Sequence, residues 1–329
     1  MRQIRINNFG GAEELTVEES DIPSPSHSEI LIKVIAIGVN FIDIYQRSGV
    51  PPYTKVLPFT PGLEGSGIIT VVGADVVGFS VGDRVAWASV PKSYAEFIIA
   101  DPKKVALVPP DISFDLAAAV ALQGATAHYL VNSTFKIQPK SVALVHAAAG
   151  GTGNLICQMI LQRGGSVIAT TSSREKADFI REIGVDQVIV LDGHSDFSQE
   201  VRRINNGNGV DVVYDGVGAS TFSQSLASLK PRGFMVLFGA SSGQVPPFNL
   251  QELNTRGSLY VTRPKLDDYA SEAGEFQSRL QDVFQQITAG TLKVQIGAEF
   301  ELTQAGEAQT FLESRKSIGK IILSTLVSN

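Results

Sequence analysis

The 329-residue sequence predicts an α/β fold in which a doubly wound parallel sheet is inserted into a mostly β, barrel-like domain. Three observations predict it. Short β-rich runs punctuated by Gly and Pro fill the first hundred residues. Runs of five or six apolar residues then alternate with connections of helical length. Near the C-terminal end the first pattern returns.

The early runs fall at 29–37, 66–72, 83–88 and 94–100, separated by Pro23, Pro25, Pro51-Pro52, Pro58 and Pro61-Gly62. Runs of this length bounded by turn residues read as antiparallel strands, not as a βαβ array. After Pro109-Pro110-Asp111 an Ala-rich helix is expected over 113–131. Strands are then expected at 141–146, 166–170, 187–191, 210–214 and 233–238, with helices at 151–163, 174–183, 195–204 and 220–229. Connections that long make neighbouring strands parallel. From Leu259 the character shifts back: an amphipathic helix at 276–289, a strand at 298–302, a helix at 303–314 and a last strand at 319–324. The expected division is 1–122 with 262–329 for the outer domain and 123–261 for the inserted one.

Composition bounds the function. Hydrophobic residues make up 43% and charged residues 18%, a globular balance. The net charge of −6 and the scattered basic residues argue against a nucleic-acid partner. The first residues lack the apolar core of a signal peptide, and the apolar stretch 116–122 is too short to span a bilayer. The single cysteine, Cys157, excludes an intrachain disulfide and a thiolate cluster. A cytoplasmic protein without membrane association is expected.

The chemistry concentrates after the first strand of the alternating array. Val142-Ala143-Leu144-Val145-His146 runs into Ala147-Ala148-Ala149-Gly150-Gly151-Thr152-Gly153, and a helix follows. Set against G-x-G-x-x-G, the three positions are Ala148, Gly150 and Gly153. Gly150 lets a pyrophosphate approach the backbone, and Gly153 lets helix and strand pack closely. The helix N-terminus offers unpaired N–H groups to phosphate. At the end of the second strand, NAD-type sequences carry Asp or Glu for the ribose 2′-OH. This chain has Thr170-Thr171-Ser172-Ser173-Arg174-Glu175-Lys176. Hydroxyls and two cations suit a 2′-phosphate, so NADPH is expected, with Ser172, Ser173, Arg174 and Lys176 as contacts. Ser172 or Ser173 also suits a helix N-cap.

The segments Ala36-Ile37-Gly38-Val39-Asn40-Phe41-Ile42-Asp43-Ile44-Tyr45, Pro61-Gly62-Leu63-Glu64-Gly65-Ser66-Gly67, Val77-Gly78-Phe79-Ser80-Val81-Gly82-Asp83-Arg84-Val85 and Leu122-Gln123-Gly124-Ala125-Thr126-Ala127 occur in this order, followed by the phosphate loop. Together they resemble the medium-chain dehydrogenase/reductase superfamily over essentially the whole chain. His146-Ala147-Ala148-Ala149-Gly150-Gly151, Phe238-Gly239-Ala240-Ser241-Ser242-Gly243 and Gly257-Ser258-Leu259-Tyr260-Val261-Thr262-Arg263-Pro264 look like its zinc-independent quinone oxidoreductase branch. The resemblance implies a GroES-like catalytic domain around a Rossmann domain. Zinc enzymes of the superfamily carry cysteine, histidine and cysteine where this chain has Asn40, Leu63 and the neighbourhood of Leu122. The four histidines, His27, His128, His146 and His194, have no ligand spacing, so no metal site is expected.

Without a metal or a nucleophile–base pair, the chain's task is to hold a nicotinamide against an electrophilic acceptor, a small quinone or enone. The resemblance implies that Asn40, Tyr45, Tyr53 and Thr126 lie near the nicotinamide and acceptor. Asn40 suits a carbonyl oxygen or the nicotinamide ribose, and the tyrosines suit stacking, donation or plain packing. It further implies backbone contacts around Phe238, Gly239 and Ser241, with Lys176 and Arg315 near the 2′-phosphate. The branch often has a tyrosine after the third strand at this phosphate, where this chain has Leu191-Asp192. Asp43 and Arg47 are spaced for a helical ion pair, Glu64 is expected to orient its loop, and Cys157 to be a buried structural thiol. Quinone reduction, enone reduction and non-catalytic NADPH binding remain open. The β-rich run 258–262 is a candidate edge strand for a homodimer.

Overall fold

The structure, a computed structural model, describes residues 1–191 and 196–326. Asp192, His194 and Ser195, named in the sequence reading, lie outside the described residues. In chain order the elements begin with β1 (Arg2–Ile6), β2 (Leu15–Glu19), β3 (Ile30–Val39), α1 (Phe41–Arg47), β4 (Gly65–Val72), β5 (Arg84–Trp87), β6 (Phe97–Ala100) and β7 (Val105–Leu107). Then follow α2 (Phe114–Tyr129), β8 (Val142–Val145), α3 (Gly151–Gln162), β9 (Ser166–Thr171), α4 (Arg174–Glu182), β10 (Gln187–Val190), α5 (Phe197–Ile204) and β11 (Val210–Asp215). The last are α6 (Phe222–Ser228), β12 (Leu229–Leu237), α7 (Gln251–Thr255), β13 (Tyr260–Thr262), α8 (Glu275–Thr288), β14 (Ile296–Glu301), α9 (Ala305–Glu313) and β15 (Lys320–Ser324).

These elements form two compact units, Met1–Ala125 with Tyr269–Asn329 and Thr126–Asp268. The first boundary falls inside α2. The second falls beyond 261 because β13 pairs with β12, which keeps that stretch in the sheet of the second unit.

In the second unit six strands run in the order β10-β9-β8-β11-β12-β13, every pair parallel. The order reverses direction at β8, so the C-terminal ends of β8 and β11 flank the switch point where such sheets bind ligands. The sheet is apolar because helices cover both faces: Leu144, Ile168, Val213 and Met235 are buried with Phe197 and Leu226. The expected helix at 113–131 ends as α2 at Tyr129 and passes into a π-helical turn, Leu130–Thr134. The Tyr214 hydroxyl donates to the Leu130 and Phe135 carbonyls there, at 3.2 Å each.

In the first unit the main sheet runs β14-β15-β3-β4-β5-β7, with β6 also pairing β3. All its pairs are antiparallel except β14 with β15, which α9 connects. Ile30, Ile32, Val34, Trp87, Tyr94 and Ile321 form its core. The buried Trp87 indole keeps a partner, donating to Ser93 Oγ at 2.9 Å. Among the described residues no helix is long and apolar enough to cross a membrane.

Candidate active site

The second unit gathers the expected phosphate-binding residues at the C-terminal ends of its strands. Immediately after β8 the chain turns sharply, with Ala147 in the left-handed region at φ 49°. That conformation costs a non-glycine residue roughly 1–2 kcal/mol. Ala148 and Ala149 are buried, Gly150 caps the N-terminus of α3, and Gly151, Thr152 and Gly153 form its first turn. The glycines differ in what requires them. A Cβ at Gly153 would lie 2.5 Å from the Ala147 carbonyl oxygen and 2.9 Å from Ala148 Cα. Backbone packs on backbone there, and no side chain fits. At Gly150 a Cβ would meet only the Ala147 oxygen, at 3.3 Å. The protein needs little from its bareness, which leaves the helix N-terminus open.

At the end of β9, Ser173 is the N-cap of α4, its hydroxyl accepting from Lys176 N–H at 3.3 Å. Ser172 and Arg174 are exposed, and Lys176 is half-buried. The capping reading and a basic, hydroxyl-rich helix start therefore coexist on the same residues. Phe238 N–H and Gly239 N–H donate to the Asp215 carbonyl at 2.9 and 3.3 Å, and Ser241 N–H to the Gly216 carbonyl at 3.2 Å. These three amides are used within the protein. The close approach again explains the glycine, since a Cβ at Gly239 would stand 2.4 Å from Gly216 O. Thr126, on α2, is half-buried in this unit.

The first unit carries Asn40, Tyr45, Tyr53 and Arg315. Asn40 follows β3 and caps α1, and Tyr45 lies one turn on. The Tyr45 and Tyr53 rings are 5.3 Å apart and tilted by 33°, with Phe41 6.3 Å from Tyr45. Both tyrosines are half-buried. Arg315 follows α9, is exposed and has φ 57°.

Asn40 has internal partners at both ends of its amide. Its Nδ2 donates to Glu64 Oε1 at 2.6 Å and to the Gly38 carbonyl at 3.2 Å. Its Oδ1 accepts from Lys320 Nζ at 2.8 Å and Gln123 Nε2 at 3.2 Å. Both N–H groups of the amide and its oxygen are thus engaged in an internal network. Glu64 is fully buried and ion-paired with Lys320, whose side chain is 2% exposed, and it accepts from Leu122 N–H at 2.7 Å. It thus ties its own loop to α2, β3 and β15. Burial pushes the Lys320 ammonium below the usual lysine range, and the Glu64 charge opposes that.

The expected Asp43–Arg47 pair on α1 does not form. An exposed pair at that spacing gives only about 0.3–0.5 kcal/mol, while both side chains here are buried and need enclosed partners. Arg47 donates to Gln309 at 2.7 Å, the Gly10 carbonyl at 3.2 Å and Glu313 at 2.9 Å. Asp43 Oδ2 accepts from Asn40 N–H at 2.9 Å and the Tyr94 hydroxyl at 3.1 Å. Burial raises the Asp43 carboxyl to about 7 against the pull of Asn40 N–H, Lys320 and Tyr94. Cys157 is buried on α3, and burial raises its thiol.

Sequence reasoning missed Lys320 and the group around Asp215. The signal for Lys320 was a lone charge inside the apolar run Ile318-Gly319-Lys320-Ile321-Ile322-Leu323, but nothing in the run names a partner 256 residues away.

The fold and these strand-end loops define a nucleotide-type α/β unit inserted in a mostly β unit, the architecture of medium-chain dehydrogenases/reductases. Residues 26–138 match the alcohol dehydrogenase GroES-like domain family and residues 151–275 the zinc-binding dehydrogenase family. The chain is similar to a quinone oxidoreductase of Pseudomonas aeruginosa, 38% identical over 98% of this chain and 99% of that one. It is also similar to a 2-haloacrylate reductase of a Burkholderia species, 36% identical over 97% of each. The structure of Escherichia coli quinone oxidoreductase complexed with NADPH superposes with a TM-score of 0.95 at 38% identity, covering 98% of this chain and 100% of that one. This chain belongs to the zinc-independent quinone oxidoreductase branch of the medium-chain dehydrogenase/reductase superfamily. The zinc in the second family's description has no thiol or imidazole at Asn40, Leu63 or Leu122 to receive it. Among the described residues no group of three or more His, Cys, Asp or Glu could hold a metal.

Proposed function

We propose that this protein is an NADPH-dependent reductase of small quinones, its second unit binding the cofactor and its first the acceptor. The observation that carries the cofactor reading is the pair of helix starts at the ends of β8 and β9. Gly150 leaves the N-terminus of α3 bare, as a pyrophosphate needs. Ser172, Ser173, Arg174 and Lys176 at the start of α4 supply hydroxyls and positive charge for a 2′-phosphate, and β9 itself ends without a carboxylate, although Glu175 lies in the same first turn of α4. A bound NADPH supplies a hydride. Thr126, in the same unit, would line the nicotinamide end.

On the acceptor side, the tilted Tyr45–Tyr53 pair offers aromatic surface to a flat ring. A quinone that takes up hydride delocalises the resulting charge, so a few hydrogen bonds suffice in place of a Lewis acid. The Lys320–Glu64–Asn40 network would hold the start of α1, and with it Tyr45, in position. Reduction of an activated carbon–carbon double bond is the second reading, favoured by the similarity to the 2-haloacrylate reductase.

Loss of NADPH absorbance, and separately NADH, with 1,4-benzoquinone, a naphthoquinone and a simple enone tests both. The expected result is quinone turnover with NADPH favoured by roughly tenfold or more, the worth of one charge-assisted bond. Turnover of the enone alone would move the reaction to double bonds. NADPH binding without any turnover would leave a cofactor-binding protein. The exposed Tyr260 and Val261 on the edge strand β13 support a homodimer through that edge, which a monomeric mass in solution scattering would remove. The single cysteine suits a reducing compartment such as the cytoplasm.

A further inference from the structure

We propose that His146 is a positioning residue that locks the strand-end loops of the second unit into a preformed NADPH cradle. The proposal rests on the cofactor reading above. His146 follows β8 directly and is fully buried. Its Nδ1 lies 2.8 Å from Thr170 Oγ1 on β9, and its Nε2 lies 2.9 Å from Ser225 Oγ on α6. Ser225 Oγ is in turn 3.0 Å from Asp215 Oδ2 at the end of β11, where the Thr221 hydroxyl also arrives, at 2.7 Å. Asp215 Oδ1 accepts from Val217 N–H at 2.7 Å and Gly218 N–H at 3.0 Å.

The direction of every proton in this chain follows from the carboxylate. Both Asp215 oxygens receive donors, Oδ1 from two backbone N–H groups and Oδ2 from the Thr221 hydroxyl, so Ser225 gives its one proton to Oδ2 as well. Ser225 can then only accept from the imidazole, which puts the ring hydrogen on Nε2. Nδ1 is left bare and accepts the Thr170 hydroxyl. A neutral ring satisfies all of these bonds. An imidazolium would face Thr170 with a second donor, and burial opposes its charge. The Phe197 ring, edge-on at 5.0 Å, closes one side of the imidazole.

Each anchor of this chain also holds a loop. The Thr170 carbonyl accepts Ala148 N–H of the phosphate loop at 3.1 Å, and two residues on, the chain enters Ser172–Lys176. The Asp215 side chain holds Val217 and Gly218, and its carbonyl holds Phe238 and Gly239. Four loops are thus joined through one imidazole. Fixing them before the ligand arrives removes an ordering cost from binding.

Full-length His146→Leu, His146→Gln, Thr170→Val and Ser225→Ala variants test this by NADPH titration calorimetry, steady-state kinetics and amide exchange. His146→Leu and Thr170→Val should each raise the NADPH Kd roughly tenfold, the scale of one buried hydrogen bond lost. kcat at saturating NADPH and the quinone KM should stay within about twofold of wild type. His146→Gln, which keeps a donor towards Ser225, should recover part of the affinity. Exchange protection of the Ala148 amide should fall in His146→Leu. Nitrogen-15 spectra of the wild-type protein should show a neutral, Nε2-protonated ring. An Nδ1-protonated ring overturns the proposal, as does wild-type NADPH affinity in both Thr170→Val and Ser225→Ala should His146→Leu fail to fold. A fall in kcat with unchanged Kd overturns it too. A wild-type protein that does not bind NADPH overturns the cofactor reading as well, whereas tight wild-type binding beside unaltered variants overturns this role alone.

Discussion

Replacing Lys320 by methionine is expected to lower unfolding stability by about 3–5 kcal/mol, the cost of stranding one member of a buried ion pair. The Glu64 side chain is 0% exposed and would keep only Asn40 Nδ2 and Leu122 N–H as partners. Attraction between the two charges is not the source of so large a loss. A well-made buried pair barely repays the desolvation of its members, but an unpaired carboxylate leaves all of that penalty unopposed. The double variant Glu64→Gln/Lys320→Met should therefore recover most of the loss. Urea unfolding of the three proteins measures both. A single variant within about 1 kcal/mol of wild type would mean that the pair is not charged when buried. Asn40 would also lose its 2.8 Å bond from Lys320, so acceptor KM should rise in the single variant before stability fails.

The second large effect concerns the phosphate loop, where two glycines should respond differently. Gly153→Ala puts a methyl group 2.5 Å from a backbone oxygen and 2.9 Å from a backbone carbon, neither of which can turn aside. Helix α3 has to move off the loop. NADPH affinity is expected to fall about 100-fold, the usual scale for a misplacement of an ångström, with roughly 1–3 kcal/mol of stability lost to overpacking. Gly150→Ala meets only one backbone oxygen, at 3.3 Å, and has an ordinary φ of −76°. It should fold as stably as wild type and still bind NADPH poorly, because its methyl group would occupy the face open to phosphate. Calorimetric titration beside thermal unfolding separates the two. Unimpaired NADPH binding by Gly150→Ala would sink the assignment of that face.

Much of this was readable in the chain alone, for reasons that can be named. The strands of the second unit are short apolar runs because both faces are covered, and the connections between them are too long for hairpins. That fixed periodicity predicts β8 to β12 within a few residues, and the run 258–262 emerged as the edge strand β13. The loop from Ala147 to Gly153 was equally legible, since local backbone demands are written in local residues. The helix ends were less so: the expected helix over 303–314 starts as a 3-10 turn before α9, and the one over 113–131 finishes in a π-helical turn. Such ends depend on what packs against them, as Tyr214 does here.

Side-chain partnerships were where sequence reasoning failed. Asp43 and Arg47 have the spacing of a surface pair, yet the fold buries both and turns Arg47 towards Gln309 and Glu313, 262 and 266 residues away. Asn40 was read against a carbonyl oxygen or the nicotinamide ribose, and its bonds to Glu64, Lys320 and Gln123 were not foreseen. His146 was read as one of four dispersed histidines without ligand spacing, and its bonds to Thr170 and Ser225 were not foreseen. The amino-acid sequence by itself determined the parallel sheet inserted in a mostly β unit and the tight glycine turn after β8, because each depends on periodicity or backbone permission. Only the tertiary structure decided that Lys320 neutralises Glu64 beside Asn40 and that His146 links Thr170 to Asp215. A buried polar group must take whatever partner the folded backbone brings within about 3 Å, and distance along the chain does not encode that choice.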